Sequence, residues 1–324
     1  MSDLLSGLLG LLLATNQPAA ASNMVMKKTG IAVAVANPND PVEKEYLKLL
    51  EEDDAAQEEV DKWIKEHDEF EEKGAGTSGA ALRVRIEQRL EPVIKKYEDF
   101  LQRYPNHARA RLAYGSFLGD TGKEFEAEVH WEKARELDPK NPAAWNNLAN
   151  HYGHRGPVKK AFEYYTKAIE LDPNEAVYYQ NFATTVYLFR VDAKEYFQVD
   201  EPKVFDLALE LYRKALKLDP DNFALAQDLA QSYYGIKPLR ADDALAAWNY
   251  TLKIAKDDLQ REGVYVHLAR VQLNSGQFED ARRNLKLVTN DVYQVLKSRL
   301  TRNLAEKEQK AKGTNAPPLT VEKK

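Results

Sequence analysis

The chain has 324 residues, 44% of them hydrophobic and 30% charged, with a formal net charge of −5 and no cysteine. The missing thiol excludes disulfides, thiolate nucleophiles and zinc–thiolate centres. Nucleic acid is not an expected partner, because the basic residues are interleaved with acids instead of gathered into one patch.

Leu4 to Leu13 form a ten-residue apolar stretch, about half the roughly 20 residues needed to cross a bilayer. Ala19-Ala20-Ala21 could imitate a leader cleavage site. However, no Lys or Arg precedes Lys27 and Asp3 is negative, against the positive start a leader requires. The expectation is a cytoplasmic protein without a membrane span, whose N-terminus is an amphipathic or self-associating helix. Export through an atypical leader over 1–21 is the alternative. Residues 29–40 read as irregular, closing on Asn37-Pro38-Asn39-Asp40, a turn in which Asp40 is the N-cap and Pro41 the first helical residue.

A helix is predicted over 41–72, with Tyr46, Leu49, Leu50, Val60, Trp63 and Ile64 as its apolar stripe. Residues 43–73 hold 14 acids against 5 lysines, a local charge of −9. Residues 281–324 hold 11 basic residues against 4 acids, a local charge of +7. Two solvated faces account for this asymmetry. The sharper alternatives are attraction between the two ends, or an acidic arm that competes with a ligand. Gly74-x-Gly76-x-x-Gly79, with Asp99 twenty residues on, is a literal dinucleotide fingerprint. A charged helix end stands where that motif needs a strand, so these glycines read as a linker.

From here the chain keeps a 34-residue beat. Pro105, Pro139 and Pro173 mark it, as do Val93, Ala127 and Ala161. A fixed period of this length means stacked copies of one supersecondary unit, none able to bury its apolar face alone. The clearest copy, 142–175, reads Trp145-x-x-Leu148-Ala149-x-x-Tyr152, then Gly156, Ala161-x-x-x-Tyr165, Ala168 and Pro173. Steps of three and four put Trp145, Leu148 and Tyr152 on one stripe of a first helix; Ala161, Tyr165 and Ala168 line the facing stripe of a second. The other copies are placed at 108–141, 176–222, 223–261 and 262–290, anchored by Ala127/Trp131, Ala208/Tyr212, Ala244/Trp248 and Ala281/Leu285. Ala168 to Ala215 is 47 residues, so the copy at 176–222 carries an insertion of 13, near 190–202. Its Val191, Tyr196, Phe197 and Val199 are too apolar for a free loop, so they dock on a neighbouring helix pair or form a flap. A degenerate copy is expected over 80–107, a capping helix over 291–305 and a disordered basic tail over 306–324.

These residues resemble the tetratricopeptide repeat family. The resemblance covers roughly 80–290 and implies an all-α protein, a right-handed α-solenoid of helix–turn–helix repeats with an N-terminal helical arm. It implies a non-catalytic adaptor that holds a partner protein or extended peptide in a concave groove lined by the first helices. Setting the copies in register assigns that groove Asn146, Asn147, Asn150, Gln180, Asn181, Thr184, Tyr187, Gln227, Gln231, Tyr234 and Arg270. Amides can both donate to and accept from a peptide backbone; the tyrosines offer flat area with a polar tip. Asparagine at these positions is equally an ordinary feature of the repeat. Family members that clamp a chaperone's C-terminal carboxylate carry Lys and Asn on the first helix and Lys and Arg on the third. Leu112, Ser116, Gln180 and Thr184 stand there instead, so that ligand is not expected. The alternative role is a self-associating or membrane-proximal assembly protein acting through the Leu-rich N-terminus.

No catalytic motif is present: there is no G-x-S-x-G and no Walker loop. His151 and His154 sit three apart without a third ligand nearby, so neither a metal nor a cofactor is expected.

Overall fold

The computed structural model describes residues 40–72 and 79–314. The Leu-rich segment, the irregular stretch after it, Gly74 and Gly76 of the glycine motif, and the chain after Thr314 lie outside the described residues. Two compact units divide at Asn181/Phe182. All regular structure among the described residues is helical.

The first unit holds α1 (Pro41–Glu72), α2 (Gly79–Arg103), α3 (Ala108–Asp120), α4 (Glu124–Leu137), α5 (Pro142–Arg155) and α6 (Val158–Leu171), and α7 (Ala176–Leu188) begins in it. The second unit continues with α8 (Arg190–Phe197), α9 (Glu201–Leu218), α10 (Phe223–Ser232), α11 (Ala241–Ile254), α12 (Asp258–Asn274), α13 (Phe278–Lys286) and α14 (Gln294–Thr314).

The helix ends follow from local chemistry. Asn141, Asn222 and Asp257 turn side-chain oxygens onto the first free N–H groups of α5, α10 and α12. At the other end Asp138, Asp172 and Asp219 each give a last N–H to the carbonyl of Ala134, Ala168 or Ala215. The proline after each aspartate prevents a further turn. Inside each pair, Ala127, Ala161, Ala208, Ala244 and Ala281 are at most 1% exposed. A methyl at this position is what lets two helix backbones approach; a longer side chain would hold them apart.

The acidic face of α1 is paired within its own unit. The helix packs on α2 and forms the first helix of the leading pair, so the degenerate copy expected to begin near residue 80 takes its first helix from 41–72. Tyr46, Leu49, Leu50, Ala56 and Val60 are buried. Glu45 pairs with Arg103, Glu52 with Lys96, Glu59 with Arg89 and Glu43 with Arg109. Burying each large apolar side chain is worth about 1.5–3 kcal/mol, against about 0–1 kcal/mol for an exposed ion pair. The stripe therefore holds α1 and the charges set its register.

The insertion is the helix α8 and a short turn in which Gln198 is left-handed (φ 54°). Ala193 is fully buried, and the Phe197 ring lies 6.4 Å from that of Phe182. Ala193 and Phe197 thus pack back on the preceding helix, while Val191 is 68% exposed. The end of the chain differs from expectation: α14 runs to Thr314, well past the boundary at 305. Leu300 and Leu304, one turn apart, are buried against Val266, Leu273 and Val288. Lys307 then ties the helix to Asn274 at 2.9 Å. High charge density had masked this apolar stripe.

Candidate functional site

In the first unit the asparagines form a ladder between helix pairs. The Asn147 amide donates to the Ser116 hydroxyl of the preceding pair at 3.0 Å. Asn146 donates to Asn147 at 3.4 Å, and Asn181 donates to Asn146 at 3.1 Å. Asn146 and Asn147 are buried. Their amides are therefore spent on joining repeats, since buried amides left unpaired would cost about 1–3 kcal/mol each. The same two residues expected on the ligand face thus also serve as links between repeats.

Asn150 belongs to a different pattern. Its carboxamide oxygen accepts from the hydroxyl of Tyr165 at 2.6 Å. The Thr184 and Tyr212 hydroxyls meet at 2.8 Å, and the Tyr97 hydroxyl donates to Asp53 at 2.6 Å. In each case a tyrosine on the second helix is anchored by a polar residue on the first. The sequence separations of 15 and 28 in the first two pairs differ by the 13 inserted residues. Trp131 occupies the tyrosine's place in its own pair, and its buried indole N–H finds no acceptor. Asp53 was missed in the sequence because its partner lies 44 residues away. Gln180, next to Asn181 on α7, is half-buried.

The second unit brings other expected residues together. The Tyr187 hydroxyl packs onto Gly235, where an added Cβ would stand 2.3 Å away. Tyr234, next in the chain, meets His267 Nδ1 at 2.9 Å through its own hydroxyl. The His267 ring stacks on Trp248, and Arg270 lies over the Tyr234 ring at 4.5 Å. Burial, with Arg270 nearby, pushes the His267 imidazole down to about 4, so this ring is neutral at neutral pH. Arg270 is exposed and makes no ion pair among the described residues. Gln227 and Gln231 are half-buried on α10. Of the eleven expected residues, Asn146, Asn147 and Asn181 form the ladder, Asn150 and Thr184 hold tyrosines of second helices, and Tyr234 and Arg270 form a cation–aromatic patch.

His151 is buried, with Nε2 3.2 Å from a Glu128 oxygen and its ring edge-on to Tyr152. His154 is exposed at the end of α5. Among the described residues no group of three or more His, Asp or Glu could hold a metal. No helix there is long and apolar enough to cross a membrane.

Antiparallel helix pairs with alanine contacts, closed by Asp-Pro corners and linked by amides, define an all-α helix–turn–helix repeat protein of the solenoid class. The tetratricopeptide repeat family model matches residues 142–175. The chain therefore carries a tetratricopeptide repeat at these residues, within an all-helical repeat fold. Its fold is similar to that of PilW, described as a widely conserved type IV pilus biogenesis factor, at 15% identity and a TM-score of 0.52, covering 68% of this chain and 95% of that one. It is also similar to YrrB, described as a TPR protein with an unusual peptide-binding site (14% identity, TM-score 0.49, 64% and 97% covered). Pseudomonas aeruginosa PilF matches at 20% identity and a TM-score of 0.47, covering 63% of this chain and 87% of that one. No curated protein matches the sequence.

Proposed function

We propose that this protein is a non-catalytic adaptor that holds a partner protein or an extended peptide on the faces lined by the first helices of its repeats. The observation that carries this reading is the Arg270–Tyr234 pair. The guanidinium lies over an aromatic ring, 4.5 Å from its centre, and the Tyr234 hydroxyl meets His267 Nδ1 at 2.9 Å. An exposed cation prepared in this way loses little freedom when a ligand arrives. Gln231, one turn before Tyr234, adds an amide that can serve a peptide backbone. Asn150 and Gln180 would play that part in the first unit.

A photo-crosslinking residue placed at Gln231, and separately at Lys214 on the exposed side of α9, tests the reading in extract from the native cell. Crosslinks to a discrete partner at 231, lost with Arg270→Ala and absent at 214, are the expected result. Equal labelling at both places would overturn it.

A further inference from the structure

A pocket of about 400 Å³ opens between α2, α3 and α4, and none of the residues assigned above to ligand contact lines it. Its origin is a substitution within the repeat. Trp145 and Tyr179, one period apart, each donate to the carbonyl of the proline six residues before them, Pro139 at 2.9 Å and Pro173 at 3.1 Å. One period earlier the residue is Arg111, which gives its Nε to Pro105 at 3.2 Å. A guanidinium on a thin stem replaces an aromatic ring, and space remains beside it.

Arg111 has an internal control. Arg261 makes the same backbone contact, to the Ala255 carbonyl at 3.2 Å, and pairs with Asp258 three residues before it at 2.8 Å. The residue three before Arg111 is Ala108. Its other neighbour is His130 Nδ1 at 3.3 Å, a ring that burial and Arg111 hold down to about 4 and therefore neutral. Among the described residues no carboxylate pairs with Arg111, and burial alone lowers its own pKa. A partly desolvated guanidinium with only neutral partners carries an uncompensated cost, which a ligand's carboxylate would remove.

Two carboxylates line the same pocket. Glu98 accepts from the Tyr114 hydroxyl at 3.4 Å; Glu126 also lines the pocket, and neither carboxylate has a basic partner among the described residues. Leu101 and Val129 add apolar lining, the latter 66% exposed.

We propose that this pocket binds a partner segment in which an acidic and a basic side chain flank an apolar one, with the carboxylate on Arg111 and the cation on Glu98 and Glu126. Lining charges of both signs select mixed charge and reject segments of a single sign.

Fluorescence anisotropy on the full chain tests this with a labelled, capped peptide of three Lys-Leu-Glu repeats and an otherwise identical Lys-Leu-Gln peptide. The first should bind at least roughly tenfold more tightly than the second. Arg111→Trp restores the aromatic found at Trp145 and fills the pocket. It should keep the melting temperature while weakening the Lys-Leu-Glu peptide by a similar factor. Glu98→Gln with Glu126→Gln should weaken it too, whereas Arg270→Ala should leave it unchanged, which keeps this result separate from the adaptor reading. Equal binding of both peptides, or an Arg111→Trp variant that binds like wild type, would overturn the proposal.

Discussion

The imidazole of His267 lies flat on the indole of Trp248, with ring centroids 4.2 Å apart and planes 3° from parallel. Burial in that stack keeps the histidine neutral down to about pH 4, whereas an unfolded histidine titrates near 6.5. Below about pH 6.5 the unfolded chain takes up a proton that the folded chain refuses, so stability falls as pH drops from 6.5 towards 4. The loss is up to about 1.4 kcal/mol per pH unit for this one group. His267→Gln should flatten the difference between urea midpoints measured near pH 7 and near pH 5. An unchanged difference would show that the ring titrates freely.

Gly115 is required by its neighbour. A Cβ there would stand 2.6 Å from Cδ1 of Trp131, inside any permitted contact. Gly115→Ala should cost about 1–3 kcal/mol by calorimetry. Adding Trp131→Leu should recover part of that loss, because the two shortest contacts are with the indole, although the Ala127 carbonyl also stands 3.1 Å away. A double variant no better than the single one would contradict this.

Tyr97 and Asp53 hold the leading pair together. Tyr97→Phe leaves a 6%-exposed carboxylate without its 2.6 Å donor, though Gln57 still donates to it. A cost of about 1–3 kcal/mol is expected, with faster proteolytic release of α1 than of any other helix. Release at the wild-type rate would argue that the apolar stripe alone is sufficient.

Ala161→Leu and Ala208→Leu each place three extra carbons at a fully buried helix contact. Each should lower stability by about 1–3 kcal/mol. Retained melting temperatures in both would mean that the pairs are looser than their packing shows.

Much of the architecture was legible because it is local. Asp40-Pro41 marks the start of α1, and the 34-residue recurrence of Pro105, Pro139 and Pro173 marks the pair boundaries. The alanine contacts follow from the same recurrence. Bonds that span helices were not legible. Asn147 is satisfied by Ser116, 31 residues back, and Asp53 by Tyr97, 44 residues on. A polar residue on a first helix reads the same whether its partner is another repeat or a ligand. Only burial separates Asn146 and Asn147 from Gln231. Arg111 looked unremarkable in sequence, although its mismatch with Trp145 and Tyr179 was visible in the register and was the available clue.

α1 has a consequence for how copies of this chain can meet. A stack of repeats is in principle extendable at its terminal flank, where one more unit could be added. Here the inner side of α1 is consumed by Tyr46, Leu49 and Leu50, while Glu51, Glu52, Glu58 and Glu59 remain exposed. Two such ends brought together would oppose carboxylate to carboxylate. A two-fold contact between copies through this face of α1 is thereby disfavoured.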